Sequence, residues 1–522
     1  MINFKKALCL LCFILFFAFG IWAQEKGKSL SLEECILRAM KNNFNVAVQV
    51  LNPELADISV SQAREKFMPS LSFGYNLENT SSASYSWIDA ATLVESEFSD
   101  YSARISQLFP TGGSFSVSLY SYKSDTNRKF QTINPRYGST LNFNFTQPLL
   151  KNFGFNISRK EIIIAKNNRD ISENQFKRVL MDTVYNVESA YWNLVYSIEN
   201  LKVRKQSLEL AQDLLAKNKR EVEVGTLAQI EILSAEAEVA TREADILQAE
   251  AVVRNNEDLL RTIINIAAEE EGLGIEIIPV DKPAFDRREV SLEEALVTAL
   301  KNRPDLQATR IDINSKEIDL TYAKNQLLPD LNLQANYWSP GVSGTQIQYQ
   351  DNNPLTDVII GEIPGSSSNA LKDAFNFRYR NWNVGITLSI PLNSFLSRAA
   401  HAQAKINLEQ TILSFKDQEQ QIFLEIRNAV RAVQTDYKRV QAYKVARELA
   451  EKKLEAEQKK LLVGLTTNYV VLQYQRDLAD TRSAELRAII DYNLSLATLD
   501  RAMGKSLQNK NIRLSSILKD TQ

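Results

Sequence analysis

Two hydrophobic periods alternate along this chain. Leu71, Phe73, Tyr75 and Leu77 are separated by Ser72, Gly74 and Asn76, and Leu331, Leu333, Ala335 and Tyr337 by Asn332, Gln334 and Asn336. The same period of two returns where Leu141, Phe143 and Phe145 interleave with Asn142, Asn144 and Thr146, and where Val384, Ile386, Leu388 and Ile390 interleave with Gly385, Thr387 and Ser389. Such alternation predicts strands with one apolar and one polar face. Two environments satisfy it: a soluble sandwich, or a transmembrane barrel whose strands run about nine or ten residues with the apolar side toward lipid. Tyr75, Tyr101, Tyr137, Tyr337, Trp338 and Trp382 near the strand ends resemble the aromatic girdles of the second. Tyr101–Pro110 and Gly113–Ser121 read as an additional hairpin without a counterpart later in the chain. The Ser/Asn/Asp-rich stretches 79–100, 122–138 and 339–380 read as loops.

Elsewhere the period is helical. Leu194, Leu201, Leu208, Leu215 and Val222 recur every seven residues, as do Val433, Val440, Leu454 and Leu461, with Arg447 filling the one gap in the second row. Ile230, Leu233, Ala237, Ala240, Ala244, Leu247 and Ala251 step alternately by three and four, a coiled-coil seam whose alanines permit close approach. An ordinary bundle of long helices would satisfy the same periods. From 157 to 224 there is neither Pro nor Gly, so one helix there would be about 100 Å long, beyond the usual globular range.

The two patterns occur twice. Ser31–Asn43 matches Ser291–Arg303 at seven of thirteen positions, and the offset of 260 holds through Ala63/Ala323, Pro69/Pro329 and Leu71/Leu331. A second register, offset by 239, pairs Leu194 with Val433, Leu215 with Leu454 and Gly225 with Gly464. The chain is an internal duplication, each half reading helix, strands, long helix, tip, long helix. Ser31 and Ser291 each precede a Glu by three places, the spacing of a capping box, and each first helix is expected to reach Pro69 or Pro329. The expected organisation is 1–23, a signal peptide; 24–265, the first repeat; 266–290, a linker; 291–503, the second repeat; and 504–522, a tail.

The signal peptide rests on Lys5 and Lys6 ahead of an apolar run from Ala7 to Ala23; an uncleaved anchor helix is the competing reading. No later segment is apolar for 18 residues, so entry into a membrane after residue 23 requires a barrel. Composition narrows the chemistry. With 61 Lys+Arg against 63 Asp+Glu the net charge is −2, and −4 once the leader is gone, which gives no footprint for nucleic acid. One His, three Cys and 17 Gly in 522 residues leave no metal cluster, nucleophile–base pair or phosphate loop, and no cofactor is expected. His401 stands alone near a helix start, and the abundant carboxylates read as solvated helix faces. No enzyme is expected.

Several features together resemble the TolC-like outer-membrane efflux protein family, over Ser31 to Gly504. They are the duplicated helix starts, Gln147-Pro148 and Ile390-Pro391 at strand ends, Ala190-Tyr191-Trp192 early in a long helix, and Val224-Gly225 and Val463-Gly464 at the tips. The resemblance implies a mainly α fold with transmembrane β: a homotrimer pooling four strands per chain into a 12-stranded outer-membrane barrel on a periplasmic α-helical barrel. Four strands alone close no useful barrel, which independently favours pooling. The implied function is the exit duct of a tripartite efflux or type I secretion system. It would conduct cargo from an inner-membrane transporter, with a periplasmic adaptor as partner and outer-membrane lipid around the strands. Carried over by position, the adaptor contacts are Val224, Gly225, Thr226, Leu227, Val463, Gly464, Leu465 and Thr466. The places of the family's acidic entrance ring hold Val470 and Gln473, neither acidic, with Glu231 the one nearby acid. Leu141, Phe143, Phe145, Val384, Ile386, Leu388 and Ile390 are the expected lipid-facing residues. The competing class, an exported coiled-coil scaffold or adhesin without a pore, accounts for the helices and leader but not for the amphipathic strands.

Overall fold

The structure, a computed structural model, describes residues 27–89, 91–266, 276–356 and 358–512. The expected signal peptide, residues 267–275 of the linker and the end of the tail lie outside these residues. The longer helices are α1 (Leu32–Asn42), α2 (Phe44–Glu65), α3 (Lys160–Glu223), α4 (Ile230–Ile264), α5 (Leu292–Asn302), α6 (Pro304–Asn325), α7 (Ser367–Phe375), α8 (Phe395–Leu462) and α9 (Asn468–Ala502). The strands are β1 (Gly27–Leu30), β2 (Ser70–Ala83), β3 (Leu93–Leu108), β4 (Ser114–Thr126), β5 (Ile133–Pro148), β6 (Glu276–Pro279), β7 (Asp330–Tyr349), β8 (Ile359–Ile363) and β9 (Asn381–Ser389). Among the described residues no helix is long and apolar enough to cross a membrane.

The duplicated helix starts fold alike but are capped differently. Ser31 Oγ accepts the N–H of Glu34 at 3.2 Å and Glu34 Oε2 accepts the N–H of Ser31 at 3.0 Å, so the capping box forms. At Ser291 the side chain makes no cap hydrogen bond, and the expected second box is absent. Nor does either helix run unbroken to the proline. Asn43 is extended and its Oδ1 accepts the N–H of Asn45 and Val46, which starts a new helix there. Arg303 is extended because a residue before proline avoids the helical region, and Pro304 then sits at the first position of α6, where its missing N–H costs nothing.

Contacts divide the chain into two compact units, each drawing on both repeats: 1–53, 172–308 and 415–522 in one, 54–171 and 309–414 in the other. The first holds the apolar clusters of the helices. Leu30, Cys35, Met40, Phe176, Leu180 and Leu260 pack together under the parallel pair β1–β6, and Leu306, Ile422, Ile426, Val433 and Leu499 form a second cluster. Tyr191, from the motif early in the first long helix, is fully buried. Its hydroxyl lies 2.9 Å from Asp281 Oδ2 and 3.2 Å from the Leu30 carbonyl, and accepts the Asp281 N–H at 3.1 Å. Asp281 Oδ2 in turn accepts the N–H of Leu32 at 2.6 Å, so one phenol ties α3 to the linker and to the start of α1. Tyr191→Phe strands these buried groups and is expected to cost about 1–3 kcal/mol, read as a lower thermal midpoint with the fold retained.

Cys35 is buried in the same cluster, and desolvation pushes its thiol up to about 12, against the opposing charge of Arg38. At pH 8 the folded protein should therefore leave a colourimetric thiol reagent unreacted on Cys35, while the denatured chain reacts at the ordinary rate. Rapid labelling of Cys35 in the native state would contradict this packing.

The second unit contains an antiparallel sheet ordered β2-β3-β4-β5-β7, with β9 and β8 both on the far edge of β7. β9 pairs with Asp330–Trp338 at one end of β7 and β8 with Gln346–Tyr349 at the other. Six long strands therefore form the sheet, the four expected to be pooled and the two of the additional hairpin. The additional hairpin is integral, seated between β2 and β5, and is longer than its apolar residues suggested. Much of 93–100, 122–126, 133–138 and 339–349 is strand rather than loop, because a backbone ladder pairs Ser99 with Lys123 as readily as Val117 with Phe143.

Candidate functional site

The ladder register decides whether the alternation of single strands adds up to a face. Residues directly opposite share a side of a sheet. Leu71, Ile105, Val117, Phe143, Tyr337 and Trp382 stand opposite one another in turn from β2 to β9. One position along, the row reads Ser70, Ser106, Ser116, Asn144, Asn336 and Asn383. At this level the sheet has one apolar and one hydroxyl- and amide-lined side from β2 to β9; further along, Ser99 and Lys123 fall on the first side and Tyr120 and Tyr122 on the second. Two pairs of polar side chains bond across strands there: the hydroxyls of Ser70 and Ser106 are 2.8 Å apart, and Arg104 Nη2 donates to Ser116 Oγ at 3.3 Å, while Asn142 Oδ1 has no partner.

Of the residues read as lipid-facing, Phe143, Phe145, Val384, Ile386 and Leu388 lie on the apolar side in register, and Ile390 follows the last strand, exposed. Ile386 is 66% exposed. Leu141 shares this side but is buried. Helix α7 packs on β5 and β7 here, with Ala370 against the backbone of Gly341, where a Cβ would stand 2.0 Å from the Ala370 oxygen. Beside it the Phe377 ring stacks on Phe143 at 6.3 Å. Sequence reading placed α7 in a loop; Ala370 and Ala374, four apart and both buried, are the signal that could have found it.

The two ends of the sheet differ. Between β3 and β4 the chain turns within five residues, Phe109 donating to the Gly113 carbonyl at 2.7 Å. That turn lies against the segment that leads from β5 into the helices: Gly154 donates to the Thr111 carbonyl at 3.1 Å. Gly112 has φ +92°, and a Cβ on it would stand 2.2 Å from the Asn152 oxygen, so only glycine fits. The connections at the opposite end, after β2, β4 and β7, are longer.

In the helical unit the helices leading into the two tips end alike. After α3 the N–H of Gly225 reaches the Val222 carbonyl at 3.0 Å and that of Thr226 the Glu221 carbonyl at 2.9 Å. After α8 the N–H of Gly464 reaches Leu461 at 3.1 Å and that of Leu465 reaches Lys460 at 3.0 Å. Both are Schellman motifs, and both glycines have φ +77° with open space around a would-be Cβ. Val224, Val463 and Leu465 are at least two-thirds exposed, whereas Leu227 and Thr466 are half-buried. Val470 is half-buried and Gln473 exposed. Glu231 is half-buried, with Oε2 lacking a hydrogen-bond partner.

The seam expected on α4 takes the other side of the helix. Ile230, Leu233 and Leu247 are more than 60% exposed, with Ala237, Ala240, Ala244 and Ala251 beside them, while Ala235, Arg242 and Ala249 are buried seven residues apart. Arg242, 4% exposed, anchors that buried stripe. It bonds the carbonyls of Ser207 on α3 and Leu472 on α9 and Glu238 Oε1 at 2.9 Å, and Arg476 of α9 reaches the other Glu238 oxygen at 2.8 Å. The exception in the α8 row has a similar cause: Arg447 Nε reaches Glu485 of α9 at 2.5 Å.

A sheet with an apolar and a polar side, its edge strands partnered on one side only, thus stands in the same chain as two long helical hairpins. The chain belongs to the outer membrane efflux protein family, whose profile matches residues 35–265 and 295–505, one stretch in each repeat. It is 23% identical to Nodulation protein T of Rhizobium leguminosarum bv. trifolii over 61% of each chain, so the match spans about six-tenths of that relative. It is 21% identical to Alkaline protease secretion protein AprF of Pseudomonas aeruginosa over 70% of this chain and 68% of that one. Its fold matches the outer-membrane channel OprN with a TM-score of 0.64 at 16% identity, over 91% of this chain and 90% of the other.

Proposed function

We propose that three copies of this chain form a passive exit duct through the outer membrane, its helices in the periplasm, receiving cargo from an inner-membrane transporter through a periplasmic adaptor. The observation that carries the reading is the amphipathic sheet, whose edge strands β2 and β9 have partners on one side only. A second observation supports self-association. The apolar stripe of Ile230, Leu233 and Leu247 on α4 stays largely exposed among the described residues, and seams of that period are ordinarily closed by another helix. The tip residues Val224 to Leu227 and Val463 to Thr466 are the proposed adaptor contacts. Their exposed side chains are small and apolar, which suits docking by shape. Cargo is chosen by the pump in this reading, so the duct itself needs no binding pocket.

Extraction separates this from a pore-less scaffold. The protein should leave the membrane fraction only with detergent, and light scattering in mild detergent should give the mass of three chains. Release by salt or alkali, or a monodisperse monomer, would sink the duct.

A further inference from the structure

We infer that the barrel built by this chain holds eighteen strands, six from each of three copies, because the β3–β4 hairpin forms part of the wall instead of projecting from it. The inference rests on the trimeric reading above and fixes the size of its pore. Three observations carry it.

The first is pairing. All of β2 from Ser70 to Ala83 is hydrogen-bonded to β3, and β5 is joined to β2 only through β4 and β3. A wall without the inserted hairpin requires a β2–β5 pairing that the fold does not contain.

The second is chemistry at constant depth. Ile105 and Val117 continue the apolar row between Leu71 and Phe143, and Ser106 and Ser116 continue the polar row between Ser70 and Asn144. A hairpin standing in water has no reason to keep the same apolar side as its neighbours at the same level. Its tight turn at Gly112, held against Asn152 at the helix end of the sheet, resembles the short periplasmic turns of outer-membrane barrels.

The third is closure. The sheet is antiparallel throughout, so β2 and β9 run in opposite directions. The β9 edge of one copy can therefore pair antiparallel with the β2 edge of the next, and a heterologous contact of this kind closes as a ring. Both strands are exposed almost throughout, and among the described residues no other strand covers their outer edges. Barrel diameter grows roughly in proportion to strand number, so eighteen strands give about 1.5 times the width of twelve, in the range where aqueous channels stay open.

The test uses the full-length mature protein in detergent or lipid nanodiscs. Native mass spectrometry counts the copies, and electron cryo-microscopy viewed down the pore axis counts the strands. Three copies with eighteen strands is the expected result. Three copies with a wall of twelve and the hairpin outside it would overturn the inference while leaving the exit duct standing. A different copy number would overturn the trimeric reading and the count with it. Crosslinking gives an independent readout in a Cys35→Ala background. The pairs Ser70→Cys/Ser106→Cys and Ser116→Cys/Asn144→Cys should each form a disulfide within one chain in the inserted protein. Efficient crosslinking instead between β2 and β5 cysteines would contradict the wall described.

Discussion

Arginine in place of Ile386 is expected to block insertion of the barrel, whereas arginine at the adjacent Thr387 is expected to be tolerated and to alter conductance. Ile386 lies on the apolar side of β9, opposite Leu333, with two-thirds of its surface exposed. A charged residue on the lipid face costs about 2–4 kcal/mol near the midplane, and a ring of three copies incurs it three times. Thr387 pairs with Asn332 on the polar side, where water can solvate the charge. Phe143→Arg and Asn144→Arg should divide in the same way. The Phe143 change is the more damaging, because it also removes ring contacts with Tyr337 and Phe377. The measurement is the fraction of heat-resistant oligomer in outer-membrane extracts, with single-channel recording for the variants that assemble. Equal tolerance at all four positions would show that the strand phase is wrong.

The second large effect is expected at the tips. Replacing Gly225 and Gly464 together with Val should reduce export of the cognate cargo about tenfold or more and weaken crosslinking to the adaptor, while leaving the amount of oligomer unchanged. Each glycine sits in the left-handed region, which costs other residues about 1–2 kcal/mol and a β-branched one more, and each 1.4 kcal/mol of lost docking energy is a factor of ten. No atom lies within 4 Å of a would-be Cβ at either site, so the disturbance stays in the turn and does not enter a core. The sheet belongs to the other compact unit, and its ladder does not involve these residues. Normal export by the double variant, with its adaptor present, would reduce the tips to mere turns.

Much of this architecture is legible in the sequence because duplication and period both leave marks there. Ser31 with Glu34, the proline-bounded strands and the Val-Gly tips each express a local rule that the fold obeys. The departures have physical causes too. Ser99, Lys123 and Asp125 read as loop because strand recognition depends on apolar alternation, whereas the ladder that holds β3 to β4 is made by backbone and is indifferent to it. Helix α4 carries two stripes of helical period. The one packed inside the chain contains Arg242, so hydropathy alone selects the other. What makes the charged stripe the inner one is a set of carbonyls from Ser207 and Leu472, groups that no pattern of side chains reveals. The break at Asn43 becomes legible only once its side-chain amide is seen capping the start of α2.

The place of the β3–β4 hairpin bears on how barrels of this kind can change calibre during evolution. A single added strand would reverse the direction of everything after it and deliver the chain to the wrong side of the bilayer, stranding the long helices outside the cell. A duplicated or captured hairpin is neutral in that respect: the chain leaves β5 on the side it would have reached had β2 turned directly into it. Symmetry then multiplies each acquisition by the number of copies. In the trimeric reading the strand number is therefore stepped, each hairpin gained by the chain adding six strands to the wall at once.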